Sequence, residues 1–197
     1  MVAKAKQARD IVAIGASAGG LEQIRLLLEL LPADLPAVVL VVIHRPGDKV
    51  SYLREVLAVK SQMPVVEAFH GEELLVATCY LGQSAEHLGI DKLIHAHLTA
   101  DPHARRRGRT IDDLFMTVAA HAGPRAIGVV LSGALSDGAK GLATIKAAGG
   151  VTMVQSPEDA EFPSMPKSAI AYDGLIDVVA PTAELARAIE RYVTGGR

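Results

Sequence analysis

The chain of 197 residues carries 20 basic and 22 acidic side chains, a formal net charge of −2, so its overall charge favours neither nucleic acid nor an anionic membrane as partner. Half of the residues are hydrophobic, enough for one sizeable core, and the single cysteine, Cys79, excludes an internal disulfide and a Cys-rich zinc site. With no tryptophan, 4% aromatic residues, no apolar run near the ~18 residues of a membrane span and a polar start, MVAKAKQARD, the chain is expected to be soluble and cytoplasmic, without membrane insertion and without base-stacking platforms.

Short runs rich in valine and isoleucine alternate with helix-patterned segments, as in βαβ units around a parallel sheet. The expected class is α/β, a mainly parallel doubly wound sheet with helices on both faces. Residues 10–15 read as a first strand, 20–31 as a helix ending before Pro32, and AVVLVVI (37–43) as a fully buried strand. A helix over about 49–59 follows. After Pro64, VATCYL and LIHAHL are separated by glycines and polar residues, without room for a crossover helix. They are expected to be antiparallel strands or hairpins, an insert at one sheet edge. The α/β alternation resumes with a helix from Thr110 to about His121, a strand at 126–132, a helix near 139–148 and a strand at 151–154. A proline-rich loop (Pro157, Pro163, Pro166) leads to a closing helix at 181–193, with Thr182 as its N-cap. Residues 1–9 read as a polar extension and 10–197 as one domain.

Gly15-Ala16-Ser17-Ala18-Gly19 matches G-x-S-x-G in the strand-then-helix context of a nucleophile elbow. A serine on such a turn stands exposed at the carboxyl edge of the sheet, and the first N–H groups of the helix face an oxyanion. A dinucleotide fingerprint would need glycine at position 17, and a Walker loop would need a lysine, so both phosphate-binding readings weaken. Taken alone, the pentapeptide also fits a plain structural turn.

A serine hydroxyl is activated by a base, usually a histidine oriented by a carboxylate. In a parallel sheet the carboxyl ends of the strands share one edge, where residues distant in sequence converge. His44 ends AVVLVVI, and Asp137 follows AIGVVLS. Each has a bland reading, His44 as a strand-end imidazole and Asp137 as the N-cap of the next helix. Together with Ser17 they are three complementary residue types at equivalent strand ends, which favours a catalytic triad. The order Ser, His, Asp is not that of the α/β-hydrolases.

These motifs resemble the catalytic domain of the CheB family, the chemotaxis protein-glutamate methylesterases, over essentially the whole chain from Asp10. The family's G-x-S-x-G-G is similar to Gly15–Gly20, its strand-end histidine to His44, and its G-M-G-x-D-G to Gly133-Ala134-Leu135-Ser136-Asp137-Gly138. GRTIDDLF (108–115) resembles R-P-S-V-D-x-L-F, and SMPKSAI (164–170) resembles G-M-P-R-A-A-I. The resemblance implies hydrolysis of glutamate γ-methyl esters on the cytoplasmic helices of chemoreceptors, or on another methylated signalling protein, with release of methanol. Deamidation of glutamine is a further implied activity, and no cofactor or metal is implied. Ser17 would be the nucleophile, His44 the base and Asp137 its orienting carboxylate. The backbone N–H of Ala134 would serve the oxyanion, beside that of Ala18 at the helix start.

The chain departs from the family pattern at Ala18, Ala134, Leu135 and Arg109. If the family's glycine at position 135 has positive φ, leucine there is strained. Many members also carry an N-terminal receiver domain, whereas about ten residues precede the first strand here. A single-domain esterase and an excised catalytic piece are both open. So are a small-molecule esterase and a non-catalytic interaction module on the same fold.

Other features have ordinary explanations. His95 and His97 alternate with Ile94, Ala96 and Leu98, as on the polar face of a strand, and with His103 they are not expected to hold a metal. Arg105, Arg106, Arg107 and Arg109 form a basic run that would dock acidic receptor helices. Asp112 and Asp113 are expected to serve the start of their own helix.

Overall fold

The computed structural model describes residues 9–44, 52–83, 86–101 and 108–195. In chain order the elements are β1 (Ile11–Ala16), α1 (Gly20–Leu30), β2 (Val38–Ile43), α2 (Leu53–Ala58), β3 (Val65–Glu67), β4 (Thr78–Leu81), β5 (Glu86–Ile90), β6 (Ala96–Ala100) and α3 (Thr110–Ala122). They continue with β7 (Ala126–Val130), α4 (Ala139–Ala147), β8 (Val151–Gln155), α5 (Ser164–Ala171), β9 (Val178–Ala180) and α6 (Thr182–Val193).

Seven strands form one sheet in the order β3-β4-β2-β1-β7-β8-β9, and every pairing is parallel. The central strands are apolar on both faces, as a sheet sandwiched between helices requires. Val12, Ile14 and Ala16 of β1 join Val39 and Val41 of β2 in a core with Ile24, Leu27 and Leu28 of α1, Leu57 of α2, and Leu185 and Ile189 of α6. Ile11 and Ala13, with Val38, Leu40 and Val42, point the other way into a second core with Leu114, Phe115 and Val118 of α3, Leu142 of α4 and Met165 of α5. The expected doubly wound architecture is therefore present. From β1 the chain proceeds first to β2 on one side and only later to β7 on the other. The strand order thus reverses between β1 and β7, the place where sheets of this kind bind ligands beyond the carboxyl ends of their strands.

Several elements differ from expectation. VATCYL does not enter a hairpin: its β4 portion lies parallel between β2 and the unforeseen β3. The crossover from β3 to β4 is irregular chain rather than a helix, anchored by the buried side chains of Ala68 and Leu74. The antiparallel pair is β5 with β6, a separate two-stranded sheet on α3 rather than an extension of the seven strands. In LIHAHL the strand begins only at Ala96. The Asp91 carboxylate accepts N–H bonds from Leu93 (2.8 Å) and His95 (3.0 Å), closing a turn in which Ile94 has φ of +64°.

The proline-rich loop contains α5. Pro166 falls in its first turn, where a missing N–H loses no intrahelical bond. The short edge strand β9 was also read as loop. Thr182 is the first residue of α6 rather than its cap, and its hydroxyl donates to Gln23 Oε1 of α1 at 2.6 Å, tying the two helices together. Of the helix expected over 49–59, residues 49–51 lie outside the described residues.

Candidate active site

Ser17 follows β1 directly and is held from the β7 side. Its N–H donates to the Ser132 carbonyl (3.0 Å), and Leu131 N–H donates to the Gly15 carbonyl (3.0 Å). Ser132 is itself fixed: its N–H donates to Gln155 Oε1 (2.8 Å) and its hydroxyl to the Ala18 carbonyl (2.9 Å). The turn enters α1 through Gly19, at φ of +69°, where an L side chain would be strained. Gly133 lets the β7 loop come close, since a Cβ there would stand 2.9 Å from Ser17 Cβ and 2.6 Å from Met165 Cε. Ser17 thus stands half-buried at the reversal point, as the strand-turn-helix pattern led us to expect.

His44 leaves β2 beside it. Its N–H donates to the carbonyl of Ala16 (3.1 Å), continuing the β1–β2 register, in which Ala16 faces Ile43, and setting His44 alongside Ser17. The imidazole Nε2 lies 2.7 Å from Asp137 Oδ2. Asp137 is 4% exposed, and three backbone N–H groups hold its carboxylate: Ile111 to Oδ2 (3.0 Å), and Asp112 (3.0 Å) and Gly138 (2.9 Å) to Oδ1. With Nε2 engaged by the carboxylate, Nδ1 is the other ring nitrogen of His44. The aspartate is met by Nε2, whereas in the chymotrypsin-type triad it is met by Nδ1. The structure therefore brings Ser17, His44 and Asp137 to one edge from the ends of β1, β2 and β7.

Asp112 has a larger part than its sequence reading allowed. It lies in the first turn of α3, as expected, but its side chain serves another helix. Its Oδ1 accepts N–H bonds from Gly138 (3.0 Å) and Gly141 (2.7 Å) at the start of α4. Asp137, next to the start of α4, conversely receives the first-turn N–H groups of α3. Each aspartate caps the other's helix, filling donors that a helix start leaves open. Burial pushes the Asp112 carboxyl above its ordinary range, and the neighbouring Asp137 charge adds to this. The Gly141 and Gly138 N–H groups and the Arg109 charge act in the opposite direction. The run Asp112-Asp113 was the available signal, but two acids at a helix start give no hint that one faces away.

The remaining candidates fall as follows. Ala18 and Ala134 are half-buried, immediately after Ser17 and on the loop between β7 and Asp137. Leu135 has φ of +67°, so the strain anticipated at that position is present. Arg109 is exposed just before α3, while Arg105, Arg106, Arg107 and His103 lie outside the described residues. His97 is exposed, with its ring 5.1 Å from that of His70, and His95 Nδ1 lies 3.7 Å from Asp91. Asp113 instead approaches His87 Nδ1 at 3.6 Å, part of a second His–Asp cluster in which His87 Nε2 meets Asp101 Oδ2 at 3.1 Å. Cys79 is no nucleophile: burial pushes its thiol up to about 12.

The fold and this edge define a doubly wound α/β domain whose Ser, His and Asp converge at the strand-order reversal, the layout of a serine hydrolase outside the α/β-hydrolase order. The CheB methylesterase family model matches residues 12–189, and the chain belongs to that family. The protein-glutamate methylesterase/protein-glutamine glutaminase 1 of Burkholderia pseudomallei (strain 1710b) is 37% identical over 182 residues, which are 91% of this chain and 50% of that protein. The enzyme of the same name from Xanthomonas campestris pv. campestris is 38% identical over 186 residues, 93% of this chain and 51% of its own. The chain thus spans about half the length of the curated relatives it matches. The crystal structure of the Thermotoga maritima CheB methylesterase catalytic domain superposes with a TM-score of 0.85 at 28% identity, covering 94% of this chain and 99% of that one.

Proposed function

We propose that residues 10–197 form a catalytic unit that hydrolyses glutamate γ-methyl esters on the cytoplasmic helices of chemoreceptors or on another methylated signalling protein. The names of the relatives support hydrolysis of glutamate methyl esters, and also deamidation of glutamine. The observation that carries the reading is the His44–Asp137 contact of 2.7 Å, with Asp137 anchored by three backbone N–H groups and His44 in register with Ser17.

In this mechanism Ser17 Oγ attacks the ester carbonyl while His44 Nδ1 takes its proton. The imidazolium keeps its Nε2–H on Asp137, whose buried charge stabilises it. The oxyanion is met by the backbone N–H groups of Ala134 and Ala18, a role that tolerates alanine because no side chain takes part. His44 then protonates the departing methoxide, methanol leaves, and water repeats the cycle on the acyl-enzyme to release glutamate. Acyl transfer of this kind calls on no cofactor. Arg109, with Arg105, Arg106 and Arg107, supplies positive charge toward acidic receptor helices. Replacing all four by alanine raises KM on receptors, and an unchanged KM discards that assignment.

The test is methanol release from methylated chemoreceptor membranes, with the Ser17→Ala variant beside the wild type. Release by the wild type alone establishes the reading. Fluorophosphonate labelling of Ser17 without methanol leaves a hydrolase of some other ester. Failure of both leaves an interaction module.

A further inference from the structure

Leu135 stands against two ordinary preferences at once. Its φ of +67° lies in the left-handed region that a Cβ disfavours, and it is 77% exposed. Its backbone has little freedom to relax. The Leu135 carbonyl accepts the Ser168 hydroxyl (3.2 Å). Gly133 donates to the Phe162 carbonyl (3.0 Å) and accepts from Met165 N–H (2.9 Å). Asp137, on the other side, is bound by α3. Glycine would adopt this backbone without strain; leucine adds only an apolar side chain held in solvent directly after Ala134.

A second exposed apolar side chain stands beside the start of α1. Phe162 is 41% exposed, and its Cδ2 is 2.9 Å from where a Cβ on Gly19 would stand, so the ring rests on the start of α1 two residues beyond Ser17. The segment carrying Phe162 and the loop carrying Leu135 are joined by the Gly133–Phe162 hydrogen bond.

We propose that Leu135 and Phe162 form an apolar clasp for an aliphatic side chain of the polypeptide that bears the ester, making Leu135 a specificity-determining residue for protein-borne over small esters. The inference rests on Ser17 acting on a methylated protein. The methyl group of the ester is one carbon and cannot cover two exposed side chains. On a helical substrate the nearest neighbours of the reacting glutamate are the residues three and four positions away, about 5–6 Å distant. An aliphatic residue at such a position fills the clasp while the ester carbonyl meets Ser17.

The experiment compares kcat/KM on methylated chemoreceptor membranes with kcat/KM on p-nitrophenyl acetate, and takes their ratio. Leu135→Asn keeps a residue that tolerates the left-handed backbone but removes the apolar surface. It lowers the ratio about tenfold, the scale of one lost aliphatic contact. Phe162→Ala lowers it similarly, while Leu135→Met, apolar and with the same backbone demand, restores it. An unchanged ratio in Leu135→Asn overturns the clasp, as does a Met variant that falls as far as the Asn variant, since the loop backbone would then be the cause. If the wild type releases no methanol from receptors, the methylesterase reading fails and the clasp with it. Release by the wild type with an unchanged variant ratio sinks the clasp alone.

Discussion

Two histidine–aspartate pairs of similar length sit in different parts of this molecule, and they differ in what surrounds them. At the carboxyl edge, His44 meets Asp137 at 2.7 Å; across the β5–β6 hairpin, beside α3, His87 meets Asp101 at 3.1 Å. Backbone N–H groups clamp Asp137, and the His44 imidazole meets one carboxylate through one nitrogen; the proposed mechanism gives the other to the Ser17 hydroxyl. His87 is 6% exposed and has a carboxylate on each side, Asp101 toward Nε2 and Asp113 toward Nδ1. Thr117, the hydroxyl residue of α3 that borders this cluster, already accepts from Ile90 N–H and donates to the Leu114 carbonyl. The hairpin pair therefore fastens two elements together. A short His–Asp distance acquires chemical meaning from what the second nitrogen faces.

Mutations at the two pairs should separate these roles. The largest effect is expected for His44→Ala, which removes the proposed base and should lower kcat on methylated receptors about ten-thousandfold, as loss of a triad member does. Asp137→Asn comes next, with a fall of about a thousandfold or more, because an amide cannot hold His44 in the same tautomer; steady-state kinetics at saturating receptor checks both. His87→Gln should lower stability by about 1–3 kcal/mol, the scale of a disrupted buried polar contact, while kcat/KM stays within about twofold. Thermal melts beside receptor assays measure this, and a kinetic loss matching that of His44→Ala would erase the distinction between the pairs.

The smallest effect concerns Asp112, whose carboxyl is raised in the folded protein. The native state then binds its proton more tightly than the unfolded chain, so this group's contribution to stability is greatest in acid and falls as pH rises through and above the usual carboxylate range. Asp112→Asn cannot titrate. The stability gap between wild type and variant should therefore move against the wild type between acid and neutral pH, read from urea midpoints across that interval. A gap that moves in favour of the wild type contradicts the direction.

The α/β class and the convergence of Ser17, His44 and Asp137 were legible because they depend on local pattern. Fully apolar runs mark buried parallel strands, and strand ends mark one edge. What escaped depends on contacts between distant residues or on exceptions to local rules. β4 was mistaken for a hairpin strand because a crossover without a helix leaves no periodicity. α5 was hidden because Pro166 occupies a position where proline does no harm. Thr182 has a good capping side chain but spends it on Gln23, far away in sequence. Leu135 was suspect from sequence, since a leucine replaced a glycine in a turn, and its positive φ could be anticipated on that ground alone.

The exchange of capping carboxylates between Asp112 and Asp137 also bears on when the proposed catalytic arrangement can form during folding. Asp137 gains its Ile111 and Asp112 N–H partners only once α3 has docked, and Asp112 finds its own only once α4 has formed beside it. A nascent or partly opened chain therefore carries Ser17 with an unoriented imidazole. In the proposed mechanism hydrolytic competence would arrive cooperatively with the last long-range contacts, and amide exchange at Ile111 and Gly138 should keep time with its loss.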